Sequence, residues 1–263
     1  MSEQQKTPKI PERILVIVAH ADDIEFGMAG SIAKWVKEGA QVTYCNVTDN
    51  SSGSNEPSIE REWLIQKRHQ EQLAAAAVVG VTDVRFLGYR DGTLQPTLEV
   101  RRDLTRLIRE IRPQRVLCQD PTMVFVGDWY INHPDHRAAG EASIYAVFPS
   151  AETRPIFPEL LAEGYEPWHV RELYVVHGEQ PNTYVDITDT IDLKLKALLC
   201  HESQVGEDAA NRVRDRAASI GELAGVQYAE AYRVMQLGPK DDLPEEFAEA
   251  EDLEPEKDAT TEG

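Results

Sequence analysis

The chain has 263 residues, of which 41% are hydrophobic, so it can bury a sizeable core without disulfides or structural metals. No apolar run approaches the roughly 20 residues of a membrane span, and the polar first residues lack the apolar core of a signal peptide, so we expect a cytoplasmic protein. The formal net charge of −19 disfavours nucleic acid and anionic membranes as partners, and favours a neutral or cationic substrate.

Strand and helix patterns alternate through the first half of the chain. The first strand, RILVIVA, is a continuous apolar run, which is typical of a central parallel strand buried on both faces. In chain order we predict a disordered arm over residues 1–12, strands at Arg13–Ala19, Gln41–Val47, Val84–Leu87 and Arg115–Cys118, and helices at Gly27–Glu38, Ile59–Gly80, Leu98–Ile111 and Ala138–Val147.

The second half is less regular and ends in an acidic segment. Residues 239–263 carry eleven acidic and two basic side chains, which predicts a disordered tail after a single catalytic domain over residues 13–238. Before that tail we predict an irregular surface segment over 150–168, strands at Leu173–Val176 and Tyr184–Ile187, a helix capped by Asp189 and ending near Ser203, and a helix over Asp208–Leu223.

This alternation predicts an open, mainly parallel α/β sheet with helices on both faces. Such sheets bind ligands beyond the carboxyl ends of their strands. The segment His20–Asp23, Asp49 and Asp120 each follow a predicted strand directly. We therefore expect these residues to meet at one edge of the sheet, although they are far apart in sequence.

A first polar cluster, HADDIE, follows the first strand. The adjacent carboxylates of Asp22 and Asp23 repel each other, and a buried strand end disfavours charge further. A cation relieves both costs, and a carboxylate beside the imidazole of His20 supplies normal zinc ligands. Read alone, the cluster is also compatible with a helix N-terminus, where aspartates satisfy free N–H groups and the helix dipole.

A second polar cluster, HPDHR, starts at His133. One of its two histidines can bind a metal while the other donates a proton, and Asp135 can orient an imidazole. An exposed polar loop is the alternative. Together, the two clusters offer three protein ligands and an open position, the pattern of a catalytic zinc site. A spare carboxylate beside such a site can accept a proton from the attacking water.

The sequence resembles a known family here. HADDIE, the following GMAGSIAKW and the later HPDHR are similar to motifs of the LmbE-like, or PIG-L-type, zinc N-deacetylases. The resemblance covers about residues 13–237 and implies a Rossmann-like fold, zinc, and an N-acetylglucosamine-type substrate. Diacetylchitobiose deacetylases and bacillithiol-pathway deacetylases are the members it resembles, and they imply a trimer or hexamer. Further similar segments are Arg68–Glu71, Gly80–Leu94, Ile108–Pro121, Tyr184–Leu198 and His201–Gln204.

Each site residue takes its expected role from this resemblance, position by position. The zinc ligands would be His20, Asp23 and His136. In the catalytic set, Asp22 would be the general base, His133 would stabilise the oxyanion or protonate the amine, His201 would lie near the reacting carbonyl, and Asp135 would orient His133 or its neighbours. Arg68 would support the site or contact the sugar, and Asp91 would bind a sugar hydroxyl.

The chain departs from the family motif at two positions. Ala21 replaces the usual proline, and Ile24 stands where the motif has glutamate, with Glu25 one place later and left outside the catalytic set. Three other hypotheses use the same residues. Two histidines and one carboxylate also form the site of non-haem iron enzymes. The chain could instead be a non-catalytic Rossmann-like binding protein, or a hydrolase of a thiol conjugate or glycopeptide.

Overall fold

A seven-stranded, mainly parallel sheet forms the centre of the protein. The computed structural model describes residues 10–128, 130–178 and 180–238. Seven strands lie in the order β3-β2-β1-β4-β7-β9-β8, and a separate two-stranded hairpin is formed by β5 and β6. The strands are β1 (Arg13–Val18), β2 (Gln41–Thr48), β3 (Asp83–Tyr89), β4 (Arg115–Gln119), β5 (Phe125–Val126), β6 (Tyr130–Ile131), β7 (Glu172–Val176), β8 (Thr183–Asp186) and β9 (Ala229–Gln236).

Eight α-helices accompany these strands in the part of the chain that the structure describes. They are α1 (Asp23–Gly27), α2 (Ala29–Lys37), α3 (Arg61–Val78), α4 (Leu98–Ile111), α5 (Pro134–Tyr145), α6 (Pro158–Ala162), α7 (Ile191–Leu198) and α8 (Glu207–Ala224). A π-helical segment, Ala146–Ala151, continues α5. None of the described helices is both long and apolar enough to cross a membrane.

The connections of β1 determine where a ligand can bind. β1 pairs in parallel with β2 on one side and with β4 on the other, so the strand order reverses at β1. A crevice at such a reversal, beyond the carboxyl ends of the strands, is the usual ligand site of an open α/β sheet. In this sheet, β9 is antiparallel to both of its neighbours, β7 and β8. The predicted α/β fold class is confirmed.

Two hydrophobic layers explain why the first strand is apolar throughout. Ile14 and Val16 face a cluster that contains Trp35 of α2, whereas Leu15 faces a cluster that contains Leu104 of α4. Because successive strand residues point to opposite faces, a strand covered on both sides needs apolar residues at every position. All six β1 residues except Arg13 are buried.

The structure differs from the predicted elements in several places. The helix expected at Gly27–Glu38 is two helices that meet at Met28, the first of which begins at Asp23. Thr190, and not Asp189, occupies the N-cap of α7, and its hydroxyl donates to the Gly30 carbonyl 2.8 Å away. The segment 150–168 contains α6, and β9 was not predicted.

The predicted arm and tail fall mostly outside the described residues. Residues 1–9 and 239–263 lie there, so the disorder expected for them stays a prediction. Of the last three residues of the expected arm, Ile10 packs against the core and Pro11 is buried. The ordered chain thus extends at least to residue 10, three positions before the expected start of the domain.

Candidate metal centre and active site

The loop after β1 does not use its aspartates as helix caps. Asp22 occupies the N-cap of α1 with φ 91°, a left-handed conformation, and its side chain makes no capping hydrogen bond. Asp23 Oδ2 instead accepts a hydrogen bond from the His20 backbone N–H at 2.7 Å. The helix-cap interpretation of this cluster therefore does not describe the structure, and both carboxylates are available for other work.

The start of α5 positions the second cluster. His133 is the N-cap residue, and its Nδ1 accepts a hydrogen bond from the Asp135 backbone N–H at 3.2 Å. Pro134 follows at the first helical position, where its missing N–H costs nothing. His136 lies one turn into the helix, and its Nδ1 is 3.1 Å from the Asn132 side-chain oxygen. That contact leaves His136 Nε2 free to face the β1 loop.

Three side chains from the two clusters converge at the edge between β1 and β4. His136 Nε2 lies 3.0 Å from Asp23 Oδ1, and His20 Nδ1 lies 3.6 Å from Asp23 Oδ2. Two ligands that each bind a tetrahedral zinc at about 2.0 Å are about 3.3 Å apart. The donor set, two imidazole nitrogens and a carboxylate, is one that zinc prefers. The residues present therefore fit a bound zinc ion.

Further carboxylates surround His20 and orient its ring. His20 Nε2 is 3.1 Å from Asp91 Oδ1 and 3.3 Å from Asp135 Oδ2. A histidine that donates one ring N–H to a carboxylate presents its other nitrogen to a metal. The Asp135 carboxylate is itself fixed by the backbone N–H groups of Gly92 and Leu94, at 2.7 and 3.0 Å.

This geometry shows which imidazole the Asp135 carboxylate contacts. Its carboxylate contacts the His20 ring, whereas its only hydrogen bond to His133 comes from its backbone N–H. The Asp135 side chain is fully buried, so it orients a metal ligand from behind. Two sets of candidate ligand atoms lie within 4.8 Å of one another: His20 with His133 and His136, and His20 with Asp91, His133 and Asp135. His133 belongs to both sets, so it lies at the same centre.

The carboxylate of Asp22 lies beside this centre in a buried environment. Burial raises its pKa to about 6, against the opposing effect of the Arg68 guanidinium, and the neighbouring Asp23 charge adds to the rise. Arg68 Nη2 is 3.5 Å from Asp22 Oδ2. A carboxylate with a raised pKa is a better proton acceptor than one of ordinary pKa, which suits a general base.

His133 is arranged as a hydrogen-bond donor. Burial lowers its pKa, and the nearby His20 lowers it further, so the ring is held neutral. Because Nδ1 accepts from the Asp135 backbone, the hydrogen-bond network assigns the proton of the neutral ring to Nε2. A neutral imidazole with a free N–H can donate to an oxygen that develops negative charge.

Arg68 and Asp91 lie at the site but are almost fully buried, at 4% and 5% exposure. Asp91 accepts from the Ser52 backbone N–H at 2.9 Å as well as facing His20. Arg68 Nη2 donates to the Ala21 carbonyl at 2.7 Å. Both residues therefore support the metal site, and their expected contacts with a sugar stay predictions.

His201 is placed differently from expectation. Its side chain has no exposed area, and its Nε2 lies 3.0 Å from Glu25 Oε2. A fully buried imidazole cannot contact a substrate carbonyl in this conformation. The turn after α7 places His201 behind the β1 loop because it packs against α1 and α3. In this structure His201 therefore lies behind the site, and not beside the expected position of the reacting carbonyl.

The sequence analysis missed several residues that hold the site together. Asn50 Oδ1 accepts from the Ala21 backbone N–H at 2.6 Å, Gln72 Oε1 faces the Asp22 N–H at 3.3 Å, and Asn132 contacts His136. Two signals were available. Gln72 lies four residues after Arg68 and so on the same helix face, and Asn132 directly precedes the HPDH motif.

Comparison with known proteins gives the family. A sequence model of the PIG-L family, described as GlcNAc-PI de-N-acetylase, matches residues 15–147, which include both clusters. The chain belongs to the PIG-L family. The matched segment runs from β1 to the π-helical segment after α5, so it contains all three candidate metal ligands and Asp22.

Matches to individual relatives extend beyond this segment and agree with the family assignment. Diacetylchitobiose deacetylase of Thermococcus kodakarensis is 34% identical over 84% of this chain and 82% of its own. The 1D-myo-inositol 2-acetamido-2-deoxy-alpha-D-glucopyranoside deacetylase of Actinosynnema mirum is 29% identical over 74% of this chain and 81% of its own. The solved structure of N,N'-diacetylchitobiose deacetylase from Pyrococcus horikoshii is 33% identical, with a TM-score of 0.81 over 89% of this chain and 87% of that one.

Proposed function

We propose that this chain is a zinc-dependent hydrolase that removes the acetyl group from an N-acetylglucosamine-type sugar or conjugate. The observation that carries the proposal is the convergence of His20, Asp23 and His136, with the Asp22 carboxylate unused by the helix beside them. The relatives named above are deacetylases, and the substrate class is taken from their names.

His20 Nδ1, an oxygen of Asp23 and His136 Nε2 would hold the zinc ion. When bound, zinc lowers the pKa of water toward neutrality and polarises a carbonyl oxygen. Asp91 and Asp135 fix the His20 ring, and Asn132 fixes the His136 ring. The ligand atoms are therefore oriented before a metal arrives, which is the role of such outer contacts.

The proposed reaction divides between Asp22 and His133. Asp22 accepts a proton from water as the water oxygen forms a bond to the acetamide carbon. His133 Nε2–H stabilises the negative charge on the former carbonyl oxygen. When the C–N bond breaks, the amine nitrogen takes the proton that Asp22 removed from water, and the neutral His133 ring keeps its Nε2–H. Acetate and a free amino sugar result.

Other parts of the proposal concern the substrate and the assembly. Arg68 and Asp91 would contact sugar hydroxyls once a substrate displaces part of their present network. A neutral N-acetylated sugar suits a chain of formal charge −19 better than a polyanion does. The family resemblance adds a cytoplasmic homo-oligomer, a trimer or hexamer, which light scattering would test.

A non-haem iron enzyme is the main alternative, because two histidines and one carboxylate also bind iron. It gives no task to Asp22. A non-catalytic binding protein would not need the ligands and Asp22 all to be present. A hydrolase of a thiol conjugate or glycopeptide keeps the same chemistry with a different substrate.

The test is a panel of N-acetylated amines, including N-acetylglucosamine, diacetylchitobiose and glucosaminyl conjugates, assayed for acetate and free amine. Enzyme freed of metal is reloaded with zinc or with iron(II) before the assay. We expect stoichiometric acetate and amine from at least one glucosamine derivative with zinc. Acetate release from none of them, or turnover that needs iron and oxygen, would contradict the proposal.

A further inference from the structure

A buried polar cluster lies behind the β1 loop, and none of its members is a candidate metal ligand. It consists of Glu25, Gln72 and His201, none of which has exposed area. Glu25 Oε1 accepts from Gln72 Nε2 at 3.1 Å, and Glu25 Oε2 faces His201 Nε2 at 3.0 Å. The three residues come from α1, α3 and the turn after α7, so the cluster joins three separate parts of the fold.

Glu25 determines which way the Gln72 amide points. A carboxylate accepts hydrogen bonds and donates none, so the Gln72 NH2 group must face it. The Gln72 oxygen is thereby turned toward the opposite side, where it lies 3.3 Å from the Asp22 backbone N–H. The Asn46 side-chain NH2 group lies 3.5 Å from the same oxygen and favours the same orientation. The reverse amide orientation would oppose two donors at Asp22 and two acceptors at Glu25.

Asp22 needs such support because its backbone is strained. Its φ of 91° is a conformation that residues other than glycine adopt only when their surroundings enforce it. Asn50 and Arg68 hold the backbone of Ala21, at 2.6 and 2.7 Å. Gln72 is the residue that contacts the backbone N–H of Asp22 itself.

We propose that Glu25 and His201 are positioning residues for deacetylation. Through the Gln72 amide they hold Asp22 in its left-handed conformation, with its carboxylate beside Arg68 at the metal site. The inference rests on the proposed function, since it gives Asp22 a catalytic task. It also gives His201 and Glu25 a role that needs no contact with substrate.

An exchange of the two side chains tests this directly. Gln72→Glu places two carboxylates against each other and should lower kcat at least about tenfold, because small displacements of a reacting group are costly. In the double variant Glu25→Gln/Gln72→Glu, the introduced amide can donate to the introduced carboxylate and still accept from His201. We expect kcat of the double variant within about threefold of the wild type.

KM and zinc content should change little in either variant, since neither side chain lies among the metal ligands. Gln72→Met serves as a second single variant if Gln72→Glu does not fold; it removes the acceptor for Asp22 without adding charge. Glu230→Gln is the matched control, because Glu230 is also buried but contacts α2 and α7 instead of Asp22. It should lower the melting temperature and leave kcat of the folded enzyme unchanged.

Wild-type kcat in a folded, zinc-loaded Gln72 variant would overturn the inference, and so would a double variant no more active than Gln72→Glu. These results are distinct from failure of the proposed function. If the proposed function were wrong, the wild-type enzyme itself would release no acetate from any substrate of the panel.

Discussion

Glu25 and Glu230 are both buried in the protein core, but the hydrogen bonds that they accept differ greatly. Both influence Tyr44, whose pKa is raised well above its ordinary value, first by burial and then by these two charges. Glu230 accepts from four groups, whereas the Glu25 carboxylate has two hydrogen-bond partners among the described residues, Gln72 and His201. The four donors to Glu230 are the backbone N–H groups of Gly30 and Ser31, the Lys194 ammonium and the Tyr232 hydroxyl.

This difference distinguishes Glu230, which holds the fold together, from Glu25, which lies beside the candidate active site. Glu230 ties β9 to the start of α2 and to α7, and its two oxygens are fully used. Beside Glu25 and Gln72, in contrast, two buried polar atoms have no hydrogen-bond partner in the described parts of the chain: Asn46 Oδ1 and His201 Nδ1. Incomplete satisfaction of buried polar groups concentrates at functional sites. Changes near Glu230 should therefore affect stability, and changes near Asp22 should affect turnover.

The largest expected effect is the loss of kcat when Asp22 at the active site is replaced. Asp22→Asn keeps the size of the side chain but removes the proton acceptor, so kcat should fall about 10²- to 10⁴-fold. Thermal stability should not decrease, because the Asp22 side chain makes no capping hydrogen bond to α1. Acetate release and thermal melting of the same preparation check both statements. Turnover within about threefold of wild type would remove Asp22 from the mechanism.

The largest scaffold effect is expected from Lys194→Met. It leaves the buried Glu230 charge without its cation, 2.6 Å away, and should lower the free energy of unfolding by about 3–5 kcal/mol. Denaturant titration measures this. Arg154→Met is the control, since it breaks an exposed pair with Glu166 worth at most about 1 kcal/mol. A loss of kcat in folded Lys194→Met enzyme would contradict the separation.

His133 is expected to affect both stability and catalysis, because its side chain caps α5 and lies at the metal site. His133→Ala should lower kcat about 10²-fold by removing the oxyanion donor, and should lose about 1 kcal/mol of stability with the α5 cap. His133→Ser restores a capping oxygen but no imidazole. We expect its stability to recover while kcat stays low; recovery of kcat would show that His133 acts only as a cap.

The smallest expected effect lies on α4, away from both glutamates. The Thr97 side chain accepts a hydrogen bond from the Val100 backbone N–H at 3.3 Å. Thr97→Ala should cost about 1 kcal/mol of stability and nothing in kcat. Thermal melting and an acetate assay check it, with Thr97→Ser as the conservative control. A change in kcat would mean that scaffold and site are not separable.

Much of the site edge was predictable because it follows from local pattern and topology. The strand ends before His20, Asp49 and Asp120 are visible in the apolar runs, and parallel strands share one carboxyl edge. His136 approaches Asp23 because residues 120–133, which follow β4, lead into α5 at the same edge of the sheet. That much of the candidate metal centre could be derived before the structure.

The remainder depends on contacts between distant segments. β9 has a charged residue, Glu230, at a buried position, and a charge at such a position argues against a buried strand in the sequence. In the structure, Lys194, which is 36 residues away in sequence, compensates this charge. His201 lies against Glu25 across 176 positions, so its burial depends on how α7 packs. α1 and α2 are separated at Met28 because α1 begins directly after the left-handed turn at Asp22. Helix propensities of the residues do not predict that turn.

The most direct test of the metal centre is the zinc content per chain of three proteins: wild type, Asp22→Asn and His136→Ala, each loaded with zinc and dialysed. We expect about one zinc ion in the first two and close to none in the third, because three protein ligands hold a catalytic zinc. A full equivalent of zinc in His136→Ala, or none in the wild type, would contradict a metal site shared by the β1 loop and α5.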